Sequence, residues 1–228
     1  MDEFGKRTDP PMAVAIIGDI VSSRHLADRG EVQRRLVARL TRLNGAAGSG
    51  VIAADLRITA GDEIQCLLWQ PAYSLEIVQQ VADELHPVAM AFGVGRGPLS
   101  TGDSFAPPQI APDVAQLDGE CFHLARAALE RAQSRNAWVV VSGFGSLMDE
   151  SLAALFELMG VVRSGWTRKQ AHYTARARNQ AQKDVAAESG VSPSVVSESL
   201  KAAKFEPMLR AEAAAKRILG SFGPEAKE

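Results

Sequence analysis

Cysteine is scarce in this chain of 228 residues, with Cys66 and Cys121 the only two. With no CxxC spacing and no neighbouring histidine pair, they exclude a disulfide framework and a sequence-local zinc site. Aromatic residues make up only 6%. No apolar run approaches the roughly twenty residues that a membrane-spanning helix needs. Neither sign of charge is in excess, the formal net charge being -2, so composition gives no global affinity for polyanions. The first residues, MDEFGKRTDPP, are charged and Pro-rich rather than apolar. A cytoplasmic protein with no membrane partner is the expectation.

What the chain does contain is unevenly placed. From Arg163 to Arg217 there are eleven Lys or Arg against five acids, so this stretch is +6 and the remainder is -8. A basic module attached to an acidic one is the pattern of a nucleic-acid-binding unit joined to something else, although a basic face alone is more often just a solvated one. The length suits one medium domain plus a small one. The expected division is a disordered N-terminus (1–11), a main domain (12–145), a linker helix (146–165), a small helical domain (166–220) and a tail (221–228).

Periodicity supplies the elements. Met12 to Ile17 is a continuous apolar run that reads as a buried strand ending at Gly18-Asp19. Val32, Leu36, Leu40 and Leu43 recur at helical spacing within Glu31 to Asn44. Asp55 to Thr59 and Ile64 to Trp69 read as a hairpin with Gly61, Asp62 and Glu63 at its tip. A helix over Tyr73 to Leu85, a strand over Val88 to Val94, a Gly- and Pro-rich loop, a helix over Gly119 to Ser134 and a strand over Ala137 to Ser142 follow. A short helix is expected over Glu150 to Leu158. The order βαββαβ, with a further helix late, predicts an α+β fold of ferredoxin-like type: an antiparallel sheet with helices on one face.

Two motifs carry chemistry. QKDVAAESGVSPSVVSESL fits a helix-turn-helix in which Val185 and Ala186 pack the first helix, Gly190 makes the turn, and Val191 and Val196 anchor the second. The second helix would offer Ser192, Ser194, Ser197, Glu198 and Lys201 to DNA, and Arg168, Lys169, Arg176 and Arg178 before it would meet phosphates. An αα-hairpin used for packing is the plainer alternative. The other motif is a pair of acids, Asp19 and Asp62, each preceded by Gly and each beside an apolar strand. Singly, each is a turn residue. Jointly, on one sheet edge, they are suited to Mg²⁺ or Mn²⁺ bound to a polyphosphate.

At these residues a resemblance appears. AIIGDIVSSR resembles the first metal-binding strand of class III nucleotidyl cyclases, and TAGDEIQCLL is similar both to their second metal motif and to the GGDEF signature of diguanylate cyclases. GVGRGPLSTG, with Arg96, and GECFHLARAALERA resemble the Gly-rich strand and loop and the helix after it. With the helix-turn-helix, the chain from Ala13 to Leu219 is similar to SatD-like proteins. The resemblance implies a palm-like nucleotidyl-cyclase-type domain with Asp19, Asp62 and the Ile20 carbonyl as metal ligands. Glu63, Arg96, His123 and Arg126 would face a nucleotide ligand. It also implies a homodimer. Two of the cyclase roles are unmatched: the base-selecting Lys falls on Ile58 and the transition-state Arg on Ala127, one position from Arg126. The expectation is therefore a DNA-binding transcriptional regulator whose palm holds a nucleotide or nucleotide-derived ligand with a divalent metal, and the alternative is a metal-dependent cyclase-like enzyme acting on a nucleoside triphosphate.

Overall fold

The computed structural model describes residues 10–46, 50–100 and 113–223. The N-terminal residues 1–9, the expected loop through 101–112 and the tail from 224 lie outside the described residues. The chain is α+β. Five strands, β1 (Met12–Ile20), β2 (Ile52–Ala60), β3 (Glu63–Leu68), β4 (Met90–Pro98) and β5 (Val139–Ser142), form one sheet in the order β2-β3-β1-β4-β5. The helices described are α1 (Arg29–Ala46), α2 (Ser74–Leu85), α3 (Glu120–Ser134), α4 (Ser146–Ser164), α5 (Arg168–Ala177), α6 (Gln182–Glu188), α7 (Pro193–Ala202) and α8 (Phe205–Gly220). None of them is long and apolar enough to cross a membrane.

β1 runs antiparallel to both β3 and β4, and β2 antiparallel to β3. β5 is parallel to β4. The sheet is therefore mixed rather than antiparallel throughout, because a whole helix, α3, intervenes between β4 and β5 and returns the chain in the same direction. Side chains alternate in β1: Val14, Ile16 and Ile20 join α1, α2 and α4 in one core, whereas Ala13, Ala15 and Ile17 join α3 in a second. Helices thus cover both faces of the sheet, not one.

The second face is closed by glycine. Gly93, Gly95 and Gly97 alternate along β4 and point at α3 so closely that no side chain fits. A Cβ on Gly93 would stand 2.0 Å from the Ala125 carbonyl oxygen, and one on Gly95 would stand 2.2 Å from both the Ala125 nitrogen and the Cys121 carbonyl oxygen. The helix backbone rests directly on the strand, with Cys121, Ala125 and Ala128 as its small-residue underside. β4 continues to Pro98, four residues beyond the expected Val94, through its ladder with β1, where Met12 opposes Pro98. The glycines that read as loop composition are a packing surface.

β1 likewise continues through Asp19 and Ile20, which pair with Ala91 and Met90. α1 begins where Asp28 Oδ1 accepts the Glu31 N–H at 2.9 Å, an N-cap contact. Asn44 near its end clasps the backbone of Leu56 in β2 from both sides, donating to its carbonyl and accepting its N–H. Where a short linker helix was expected, α4 has 19 residues and buries Leu152, Phe156 and Met159 in the main core. Trp166, Ala203, Met208 and Leu219 join the same core. The buried apolar residues of α4 recur at helical spacing and make it a core helix, while Leu147, Leu158 and Val161 stay exposed.

The α5–α8 unit keeps a small core of its own, Tyr173, Val185, Ala186, Val196, Leu200 and Phe205. It is bound to the sheet layer by an ionic joint. Asp83 on α2 pairs with Arg163 of α4 at 2.7 Å and with Arg178, which also holds Glu212 of α8 at 2.9 Å. The Arg163 guanidinium lies 4.4 Å from the ring centre of Trp138 and 5.1 Å from that of Trp166. Burial lowers the pKa of Arg163, opposed by Asp83. Burial alone would lower that of Arg178 too, but Asp83 and Glu212 outweigh it and raise it.

Two outcomes are expected in denaturant unfolding. Gly95→Val forces α3 off β4 and costs about 3 kcal/mol or more, while Gly97→Ala, whose Cβ would meet the Cys121 nitrogen at 2.9 Å, costs less. Asp83→Ala leaves two buried guanidiniums short of a counter-charge and costs about 3–5 kcal/mol. Loss of less than about 1 kcal/mol in the second case would remove the joint as a determinant of stability.

Candidate functional site

The pairing of β1 with β3 opposes Gly18 to Ile64, and so brings the end of β1 beside the β2–β3 hairpin tip. Gly61 occupies a positive φ of 63° there, which lets the chain reverse in two residues and leaves Asp62 at the sheet edge. Asp19 and Asp62 therefore meet at one edge, with an open cleft of about 610 Å³ between them and the β1–α1 connection. Its walls are Asp19, Ile20, Ser22, Ser23, Arg24, His25, Arg29 and Asp62.

The two carboxylates feel each other. Burial first, and then the Asp62 charge, push the Asp19 carboxyl above its ordinary value of 3.8; Glu63 adds to this, while the Ile20 N–H and the Gln133 amide pull the other way. Gln133 Nε2 donates to Asp19 Oδ2 at 2.8 Å. Asp62 receives Arg29 Nη2 on one oxygen at 3.4 Å, and its other oxygen, Oδ2, is buried without a hydrogen-bond partner. A clustered, under-neutralised pair of hard oxygen donors fits a small divalent cation that keeps several waters and shares phosphate oxygens. Among the described residues no group of three or more His, Cys, Asp or Glu is arranged to hold a metal. The carboxylate oxygen donors available at the cleft are the two aspartates, with the Ile20 backbone beside them.

The remaining expected ligand residues do not line this cleft, although Glu63 and Arg126 are near enough to act on Asp19. Glu63 is committed to Arg126: the guanidinium donates to both carboxylate oxygens, at 2.8 Å for Nη2 to Oε1, and Gln65 adds a bond at 2.8 Å. Arg126 is the main reason the Glu63 pKa is lowered, and Glu63 the main reason that of Arg126 is raised. The pair neutralises itself rather than offering a cation to an anion. His123 lies ten residues before Gln133 on α3, about 15 Å along the axis, and sits 3.4 Å from Asp118 in solvent. Arg96 pairs in register with Val14, five positions from Asp19, about 17 Å along the strand. It also points to the opposite face from the glycines and stacks on Phe222 at 5.2 Å. Arg96 and His123 are thus removed from the site by strand register and by helix length. In their place stand Arg29, Gln133 and the Ser22–His25 turn. Gln133 was readable in principle, since it follows Arg126 by seven residues on one helical face.

The second candidate region is the α6–α7 pair. Gly190 turns between the helices at φ 65°, and Val185, Ala186 and Val196 are buried where they cross. Ser192, Ser194, Ser197, Glu198 and Lys201 are all exposed on α7 or at its start. Arg168 and Lys169 are exposed in the first turn of α5, behind a capping box of Thr167 and Gln170. Arg176 is paired with Glu188 across to α6. Arg178 is corrected: it is spent inside the joint on Asp83 and Glu212 and is not free for a phosphate.

A family model described as the SatD family matches residues 13–219. The chain belongs to the SatD family. No curated protein matches it. In this SatD-family chain the match spans the sheet, the cleft and the α6–α7 pair together, so all three are parts of one family unit.

The raised pKa fixes a sign. Because the folded chain holds the Asp19 proton more firmly than the unfolded one, ionisation of Asp19 erodes stability as pH rises from 3.8 through the folded value. Asp19→Asn should therefore raise the melting temperature of the metal-free protein at pH 7, with the gain vanishing at low pH. An unchanged or lower melting temperature at pH 7 would show that the carboxylate is not under strain.

Proposed function

We propose that the chain is a DNA-binding regulator whose palm-like domain holds a nucleotide, or a nucleotide-derived ligand, through a divalent cation. The observation that carries this reading is the convergence of Asp19 and Asp62 on an open cleft, one of them raised in pKa and the other keeping a buried, unpartnered oxygen. Support for the domain type comes from β1 to β4, which run βαββαβ in the sheet order 2-3-1-4 with α1 and α2 on one face, the arrangement of a ferredoxin-like palm. Support for DNA as the partner comes from the bare α7 face and the left-handed turn before it.

Bound Mg²⁺ or Mn²⁺ would supply Lewis acidity and charge neutralisation for the phosphates. The residues of the chain do the rest. Asp19 and Asp62 provide the donors, Gln133 fixes the Asp19 rotamer, and Arg29 offers the nearest cation at the mouth of the cleft. Sensing is preferred over cyclisation because Arg126, the candidate for stabilising charge in a transition state, is already saturated by Glu63. Loss of such an arginine costs phosphoryl transfer several orders of magnitude. A homodimer follows from the helix-turn-helix reading, since such modules engage paired half-sites.

The test is a thermal-shift series with ATP, GTP, CTP, UTP and cyclic nucleotides, each with Mg²⁺ or Mn²⁺, followed by product analysis of any hit. A ligand at about a hundred times its Kd should raise the melting temperature by roughly 5–10 °C, and Asp62→Asn should abolish the shift. Conversion of the hit to a cyclic or linear product would replace the sensor reading by the enzyme reading. No metal-dependent shift with any nucleotide would remove the cleft as a nucleotide site.

A further inference from the structure

α1 is the most cationic helix described. It contains Arg29, Arg34, Arg35, Arg39 and Arg42 against one acid, Glu31. Three of these arginines, at positions 35, 39 and 42, form one stripe along the helix, and all three turn toward a single carboxylate, Glu84 of α2. Arg39 Nη2 stands 2.6 Å from Glu84 Oε2, Arg42 Nη2 stands 2.9 Å from the same oxygen, and Arg35 Nε is 3.7 Å from Oε1, beyond hydrogen-bond reach. Neighbouring acids do not help: Asp83 is held by Arg163 and Arg178 in the joint. Three guanidiniums over one carboxylate leave a surplus of two positive charges on a partly exposed ridge, with the Arg42 side chain 58% exposed, while Arg34 is paired with Glu31.

The helix-turn-helix shows the opposite balance. From Gln182 to Ala202 it has Lys183 and Lys201 against Asp184, Glu188 and Glu198. Affinity for DNA is dominated by cations that displace counterions from phosphates, so this pair of helices alone is badly equipped to hold a duplex. Of the basic residues nearby, Arg178 is buried and Arg176 is neutralised by Glu188, which leaves Arg168 and Lys169 at the start of α5 and Lys204 after α7 as the exposed ones. The α1 stripe adjoins the helical unit, because Arg39 lines the groove that α1 and α2 form with Asn179, Leu209 and Ala213.

We propose that the Arg35, Arg39 and Arg42 stripe of α1 is a second DNA contact surface, which grips phosphodiester groups while α7 meets the bases. The inference rests on the DNA-binding reading above and adds a second cationic surface to it. Arg39, with Nε and Nη2 on Glu84 and Nη1 on Gln80, holds the stripe in place, while Arg35 and Arg42 offer the more open guanidinium edges, a group that can take two oxygens of one phosphate.

The experiment measures binding of the full chain to a fluorescent mixed-sequence duplex of about 30 base pairs over a range of salt concentrations. Four proteins are compared: the parent, Arg35→Gln/Arg42→Gln, Arg42→Gln alone and Lys201→Gln. Each replaced arginine should make the slope of log Kobs against log salt less negative by about 0.9, so the double variant differs from the parent by roughly 2. Arg42→Gln retains the Arg39–Glu84 pair and guards against a folding defect in the double variant. If the parent binds and Lys201→Gln shifts the slope while neither arginine variant does, the α1 surface is overturned and the helix-turn-helix reading stands. If only the arginine variants shift it, α1 is the binding surface and the helix-turn-helix reading falls. A parent that does not bind at low salt overturns both.

Discussion

The flush contact of α3 on the glycines of β4 is the constraint on which the rest of the structure depends. With Gly93, Gly95 and Gly97 beneath it, the helix sits at backbone distance from the strand, and its axial position is fixed to within the fit of one side chain. That position decides what each residue of α3 can touch. Gln133 falls beside Asp19 at one end of the sheet, Arg126 reaches Glu63, and His123 is carried off toward solvent at the other end. Interior packing tolerates little error of this kind, since a methylene in excess must displace backbone rather than a flexible side chain. The site is therefore built by the absence of side chains at a distance from it.

The ionic joint plays the corresponding part between the two layers. Asp83, Arg163, Arg178 and Glu212 come from α2, α4, the end of α5 and α8, and no pair of them is local in sequence. Isolated, such buried charges would be costly; paired together, they fix how the helices approach. His86 Nε2 lies 3.1 Å from the Trp166 carbonyl, and the Trp166 indole donates to the Ala203 carbonyl at 2.9 Å, so neutral hydrogen bonds continue the joint from α2 toward the end of α7. The helical unit is seated on the sheet layer through directional contacts as well as a shared apolar core.

This division explains which parts were legible in the sequence. The apolar runs of β1 and β3 and the Gly-Asp at their ends were enough to bring Asp19 and Asp62 to one edge, because strand alternation and a two-residue reversal leave few alternatives. The spacing of Val185, Ala186, Gly190 and Val196 was likewise enough for α6 and α7, whose packing is local. Illegible were the features set by distant partners. Nothing in GVGRG tells a packing surface from a loop, since glycine is the residue of both; only α3, more than twenty residues later, decides. Arg178 looks like its basic neighbours until Asp83 and Glu212 are brought to it. Arg96 and His123 matched motifs by position, yet a motif does not record strand length: Arg96 lies about 17 Å along the strand from Asp19, and His123 about 15 Å along α3 from Gln133.

The placement of tryptophan has a consequence for observing this molecule. Of the three in the chain, Trp69 lies in the core under α3, while Trp138 and Trp166 flank the Arg163 guanidinium inside the joint. An indole excited state responds strongly to a charge a few ångströms from its ring. Two of the three indoles therefore sit where the sheet layer meets the helical unit, and none lines the cleft of Asp19 and Asp62. The intrinsic emission of the unlabelled protein is a built-in gauge of the seam: a ligand that merely fills the cleft leaves the spectrum still, and one that shifts the helical unit changes its colour.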